Sequence, residues 1–216
     1  MIGKLDKEII EKFKKFQEVS SKYSGLNIDE VEFIKEYPFN DDKNVTLLGS
    51  KNIASHDELK QINDSKGLPV YDASANINTL VNESKFPNQV FEVVNNENPD
   101  ISFASEGNSS AGTNFLIHKN KYFVNNHRIV VQFSKKYYSK YVYYNIFKMK
   151  EKYGFKRGYT PSQKELKKLK ILVPIPSQYK EYSSFDIQKA IVDFLEFWKI
   201  KYTDVFRSKI SHIQPI

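Results

Sequence analysis

The 216-residue chain contains no cysteine, which excludes disulfides, thiolate zinc sites and a cysteine nucleophile. It lacks any apolar run near the roughly 18 residues that cross a bilayer, and its N-terminus is a charged amphipathic pattern without the order of a secretion signal. Its histidines, His56, His118, His127 and His212, are too scattered to form a metal motif. It has no Gly-Lys-Ser/Thr phosphate loop, no dinucleotide fingerprint and no Asn-Pro-Pro-Tyr/Phe methyltransferase signature. Together these absences predict a soluble, cytoplasmic protein without cofactor or metal.

What the chain does have is charge, unevenly placed. The net charge is +7, yet residues 1–117 hold 12 basic and 19 acidic residues, a net of −7, while residues 118–216 hold 21 and 7, a net of +14. Such asymmetry points to a polyanionic partner, nucleic acid or an anionic membrane. An apolar content of 40%, with 14% aromatics, is enough to bury a core.

Leu5, Ile9, Phe13, Phe16 and Tyr23 fall at helical spacing and predict an amphipathic helix over 4–23 that stops near Gly25. Ile191, Leu195, Trp198, Tyr202 and Val205, broadened by Ile187, Phe194 and Phe197, predict a coiled-coil-like helix over 184–209. That stripe is either ordinary core or an interface, packed on the first helix or on another subunit. Between the helices, β-rich runs at 45–48, 68–71, 89–94, 101–104, 121–124, 128–133 and 171–174 alternate with Asn, Gly, Pro and Ser clusters, and helices are expected over 141–152 and 162–169. The expected fold is α+β: one domain with a twisted, mostly antiparallel sheet and flanking helices. The expected divisions are a terminal helix over 1–25, a central α+β domain over 26–183 and a second terminal helix over 184–216.

The most basic stretch, 135–170, carries 12 Lys/Arg against Glu151 and Glu165 and is interleaved with aromatics. Lysine and arginine neutralise phosphates, and exposed aromatics stack on bases. Most of these aromatics have core spacing, but in Gly154-Phe155-Lys156-Arg157-Gly158-Tyr159-Thr160 two glycines bracket a Lys-Arg pair, which exposes it for backbone or guanine contact. A second loop, with Ser105, Asn108, Ser109, Ser110, Thr113 and Asn114 among glycines, can present donors to phosphates or bases. Because the Lys-Arg pair sits in a loop and not along an amphipathic helix, a membrane surface is the poorer partner.

Several pieces occur in a telling order: Gly67-Leu68-Pro69-Val70-Tyr71 with Ile77 and Asn78, Ile101 to Gly112, Phe123-Val124-Asn125-Asn126-His127-Arg128, Tyr141-Val142-Tyr143-Tyr144, Lys167 to Pro176, and Ile187-Gln188-Lys189-Ala190-Ile191. This ordered set resembles the target-recognition domains of type I restriction-modification specificity subunits, and the related specificity regions of fused type II enzymes. The resemblance spans about 67–205. It implies a non-catalytic, sequence-specific double-stranded DNA-binding module that directs methyltransferase and restriction subunits, with the terminal helices as spacer and docking site. Full-length members carry two recognition domains, so this chain is expected to be a half-subunit, pairing as a homodimer through its terminal helices, or an excised region. The 177–185 junction departs from the family by being longer and more polar.

One constellation suggests catalysis instead. Asp72 followed by Glu83-Ser84-Lys85 is spaced like the Asp and Glu-x-Lys core of restriction nucleases, in which two carboxylates hold Mg²⁺ and a lysine activates water. In a chain that is 27% charged such spacing arises readily by chance.

Overall fold

The structure, a computed structural model, describes residues 7–49, 53–74, 77–106, 110–125, 127–147, 149–156, 158–176, 179 and 181–201. Helix α1 (Lys7–Val19) runs into a 3-10 turn at Ser21–Tyr23 and ends before Gly25, whose φ of +89° suits glycine. Helix α6 (Ser184–Lys201) starts from a reciprocal cap, in which Ser183 N donates to the Asp186 carboxylate at 3.0 Å and Asp186 N donates to Ser183 Oγ at 3.2 Å. The two helices bury their apolar stripes on each other, with Phe13, Phe16, Ile187, Ala190, Phe194, Leu195 and Trp198 in one core. Tyr23 and Asp193 hydrogen-bond across the pair.

Among the described residues the strands form three sheets where one was expected. β2 (Val45–Gly49), β8 (Arg128–Phe133), β5 (Asp100–Ala104) and β6 (Leu116–His118) make an antiparallel sheet in that spatial order. β3 (Asn63–Tyr71) pairs antiparallel with β4 (Ile77–Val81) and parallel with β7 (Phe123–Val124). β1 (Glu32–Glu36) and β9 (Ile171–Ile175) form a separate antiparallel pair. α3 (Ser139–Ile146) covers the four-stranded sheet, and their shared core also takes Phe155, Leu166, Ile171, Val173 and Val192. The α+β class holds.

In the β3–β4 hairpin the register shifts between Asn63 and Leu68 opposite Val81, and there a β-carbon on Gly67 would lie 2.4 Å from the Val81 carbonyl carbon. Only glycine permits this approach. The element after β2 is α2 (His56–Gln61), fixed by a capping box: Ser55 N donates to Glu58 at 2.8 Å and Glu58 N donates to Ser55 Oγ at 3.3 Å.

Two buried amides join the layers. The Asn98 side chain donates to the carbonyls of Phe133, Ser134 and Tyr137 and accepts from Ser139 N at 2.7 Å, so it shapes the whole β8–α3 connection. Gln188 of α6 accepts from Tyr138 N at 2.9 Å and donates to Lys136 O at 3.0 Å, which satisfies an N–H and a carbonyl of the segment that leads into α3. Together with the Tyr141 hydroxyl on Leu172 O at 2.7 Å, these bonds seat α6 and β9 on the domain despite the long polar junction.

Candidate nucleic-acid interface

The ends of β3, β5 and β8 converge on a buried guanidinium. Arg128 is 1% exposed; its Nη1 donates to Asp72 O at 2.7 Å, its Nη2 to Asn114 O at 2.7 Å, and its Nε and Nη2 to Ser102 Oγ at 3.1 and 3.0 Å. With both lone pairs of Ser102 Oγ taken, its one hydrogen goes to His118 Nε2 at 2.6 Å, which leaves the ring proton of His118 on Nδ1. His118 stacks on Tyr122 at 3.7 Å, and the Tyr122 hydroxyl and Gln132 Nε2 both donate to the Asp100 carboxylate at 2.9 Å. Burial lowers the Arg128 pKa to about 10 while Asp72 opposes the shift, so the group stays charged at neutral pH.

Burial, and then the Arg128 charge, push His118 from 6.5 down to about 3. The folded chain therefore refuses a proton that the unfolded chain accepts, and stability falls as pH drops below about 6.5 towards 3 at roughly 1.4 kcal/mol per pH unit. Burial raises the Asp100 pKa, which acts in the opposite direction but equally in wild type and variant. His118→Gln keeps an acceptor and cannot titrate. Between pH 6 and 4.5 wild type should lose about 2 kcal/mol more than this variant, read by urea unfolding at each pH; parallel losses would place the proton elsewhere.

The 105–114 loop leaves β5 and is braced by its own polar groups. Ser110 Oγ donates to Glu106 O and Thr113 Oγ1 to Ser110 O, both at 2.8 Å, and the Asn114 amide donates to Ala73 O at 2.6 Å. These hydrogens are taken up within the described part of the loop, so outward contact from Ser110 and Thr113 falls to their oxygens. Ser105 is half-buried and its N–H donates to His127 O at 2.8 Å; Asn108 and Ser109 lie outside the described residues. Asn114 and His127 adopt φ of +53° and +67°, and His127 is paired with Glu106 at 2.9 Å.

The 154–160 segment forms a tight hairpin, with Lys156 N donating to Tyr159 O at 2.9 Å and Tyr159 N to Lys156 O at 3.0 Å. Gly158 takes φ of +82° at the turn, and Arg157 lies outside the described residues. Lys156 is exposed and Tyr159 is 41% exposed, its hydroxyl donating to Glu165 at 3.1 Å; Thr160 is half-buried. Phe155, at the hairpin's base, packs against the other loop: a β-carbon on Gly112 would lie 2.9 Å from Phe155 Cδ2 and 3.6 Å from Lys150 Cα. The two loops singled out in the sequence are thus neighbours.

Residues 48–199 match the family model described as the type I restriction modification DNA specificity domain. The chain belongs to this family. Two solved specificity subunits share the domain's fold. The S subunit of a type I restriction-modification system from M. genitalium is similar over 96% of this chain and 49% of its own, at 16% identity and a TM-score of 0.57. The HsdS subunit from Thermoanaerobacter tengcongensis is similar over 96% and 49%, at 10% identity and a TM-score of 0.50. The chain spans about half the length of either, and no curated protein matches it.

Within the specificity domain much of the basic segment is already partnered. Lys136 pairs with Glu36 and Asp41, both at 2.9 Å, Lys140 with Glu196 at 2.8 Å, Lys167 with Asp42 at 3.2 Å and Lys168 with Glu165 at 2.7 Å. Glu36, Asp41 and Asp42 of the acidic first half therefore fold onto lysines of the basic half. Lys152 instead sits beside Lys170, and burial and then that like charge lower its pKa.

The nuclease constellation does not assemble. Asp72 follows β3 at the turn end of the hairpin, whereas Glu83 follows Val81, which pairs with Leu68. The length of β4, about 13 Å at roughly 3.3 Å per residue, separates them. Asp72 accepts from Ser74 N at 2.7 Å, and Glu83 pairs with Lys121 at 3.0 Å. No group of three or more His, Asp or Glu among the described residues is placed to hold a metal.

Of the residues expected at a helix interface, Leu195 and Trp198 are buried against α1, and Ile191 is half-buried between that core and the main one. Within the chain their partner is the first helix. Tyr202 and Val205 lie outside the described residues.

Proposed function

We propose that the chain binds double-stranded DNA sequence-specifically and, as the non-catalytic specificity module of a cytoplasmic restriction-modification system, directs methyltransferase and restriction subunits to the bound site. The observation that carries this reading is the packing of Gly112 on Phe155, which sets the 105–114 loop beside the Lys156 hairpin in a family of DNA specificity domains. In such an arrangement Lys156, Arg157 and Tyr159 supply phosphate and stacking contacts, while Ser105, Asn108, Ser109, Ser110, Thr113, Asn114 and Thr160 offer groups to base edges. The exposed side of the α1–α6 pair is the docking face for the other subunits or for a second copy of the chain. Selection of oligonucleotides from a random duplex pool by the full chain should enrich one short motif, and its affinity should fall steeply with salt. Enrichment of no motif would sink the reading.

A further inference from the structure

We propose that Arg128 is a positioning residue for target selection, locking the turn after β3 and the 105–114 loop into one reading unit. This rests on the DNA-binding reading above. The guanidinium is too deeply buried to touch DNA itself, at 1% exposure, and its hydrogen bonds to Ser102, Asp72 and Asn114 run to groups of the fold. Its two shortest bonds go to main-chain carbonyls at the base of the turn, Asp72 O, and at the end of the loop, Asn114 O, each at 2.7 Å. The Asn114 amide closes the same junction from the other side through Ala73 O.

The backbone around the clamp is unusual. Asn114 and His127 are the non-glycine residues with positive φ among those described, one directly bonded to Arg128 and the other preceding it in sequence. Side-chain-bearing residues hold such conformations where the surroundings over-determine them. His127 O also receives Ser105 N, so the start of the 105–114 loop is fixed from the strand that carries Arg128. The planar fork of arginine satisfies three acceptors in fixed directions at once, which a lysine ammonium on a flexible stem does not reproduce. Behind it, Ser102 and the neutral His118 fix the rotation of the fork through an inward chain that leads away from the loops.

Base readout demands side chains held to fractions of an ångström, whereas attraction to phosphates tolerates looser geometry. Loss of the clamp should therefore relax selectivity and leave general attraction intact. The test compares full-length wild type, Arg128→Lys, Ser102→Ala and Val192→Ala, the last a core change in α6 that removes none of the clamp's hydrogen bonds, at a temperature where circular dichroism shows each to be folded. Each protein is run through duplex selection, and its affinity is measured for the selected site, for single-mismatch sites and for unrelated duplex across a salt series.

Arg128→Lys should cut discrimination against mismatched sites at least threefold with an unchanged salt slope on unrelated duplex. Ser102→Ala, which removes the hydroxyl but keeps both carbonyl bonds, should show a smaller loss, and Val192→Ala none. Unchanged discrimination in Arg128→Lys overturns the proposal; if that variant does not fold, unchanged discrimination in Ser102→Ala does so. An equal loss in Val192→Ala reduces the effect to general loosening and also overturns it. A wild type that selects no motif fails one step earlier, at the DNA reading itself.

Discussion

Asn98→Leu should cost the domain about 3–5 kcal/mol, a third or more of the stability of an ordinary domain. The side chain is 2% exposed and serves three carbonyls and one N–H of the β8–α3 connection. Leucine fills much the same space but leaves those groups buried and unpaired, at roughly 1–3 kcal/mol each before relaxation. Asn98→Asp should be similarly damaging, since a carboxylate keeps the bond from Ser139 N but repels the carbonyls. The neighbouring exposed Asn96→Ala is the control and should move stability by no more than about 0.5 kcal/mol. Urea unfolding checks all three, and an Asn98→Leu midpoint near wild type would show that water replaces the amide.

Lys156→Ala combined with Arg157→Ala should lower the salt slope of DNA binding by about two and weaken affinity on the order of tenfold or more at moderate salt. Lys136→Ala is the informative contrast. That lysine is held by Glu36 and Asp41, so its loss should change stability but not the salt slope. If the hairpin variant keeps the wild-type slope, the 154–160 hairpin lies off the DNA. If Lys136→Ala shifts the slope as much, the ion pairs yield to phosphate on binding.

The strands that were legible in the sequence are those with continuous apolar runs. β8 falls at 128–133 as expected, and β2 and β5 agree to within a residue. The expected strand at 89–94 is a 3-10 turn at Pro87–Gln89 followed by a single bridge from Phe91 to Tyr122. β1 went unread because Glu32, Lys35 and Glu36 mask its alternation, and β4 because Asn76, Asn78 and Asn82 look like a turn. The helix expected over 141–152 divides into α3 and a short helix at Met149–Tyr153, and that expected over 162–169 shortens to Gln163–Leu166. α2 had a readable signal in Ser55-Asp57-Glu58, the capping-box spacing.

The candidate loops were legible from glycine, hydroxyl and Lys-Arg content, but their adjacency was not, because it depends on Phe155 meeting Gly112 across 43 positions of chain. Arg128 was invisible for a related reason. An arginine at the start of an apolar strand reads as a surface residue, and only the tertiary fold shows the three acceptors gathered around it.

The pairing of β1 with β9 and of α1 with α6 also sets a schedule for synthesis. Phe13 and Phe16 leave the ribosome long before Phe194 and Leu195, their partners in the finished core. At roughly 5–20 residues per second that interval is on the order of ten seconds or more. For most of it, β1 is a strand without a mate and α1 an apolar face without a cover, so the nascent chain is open to misassociation until β9 and then α6 emerge.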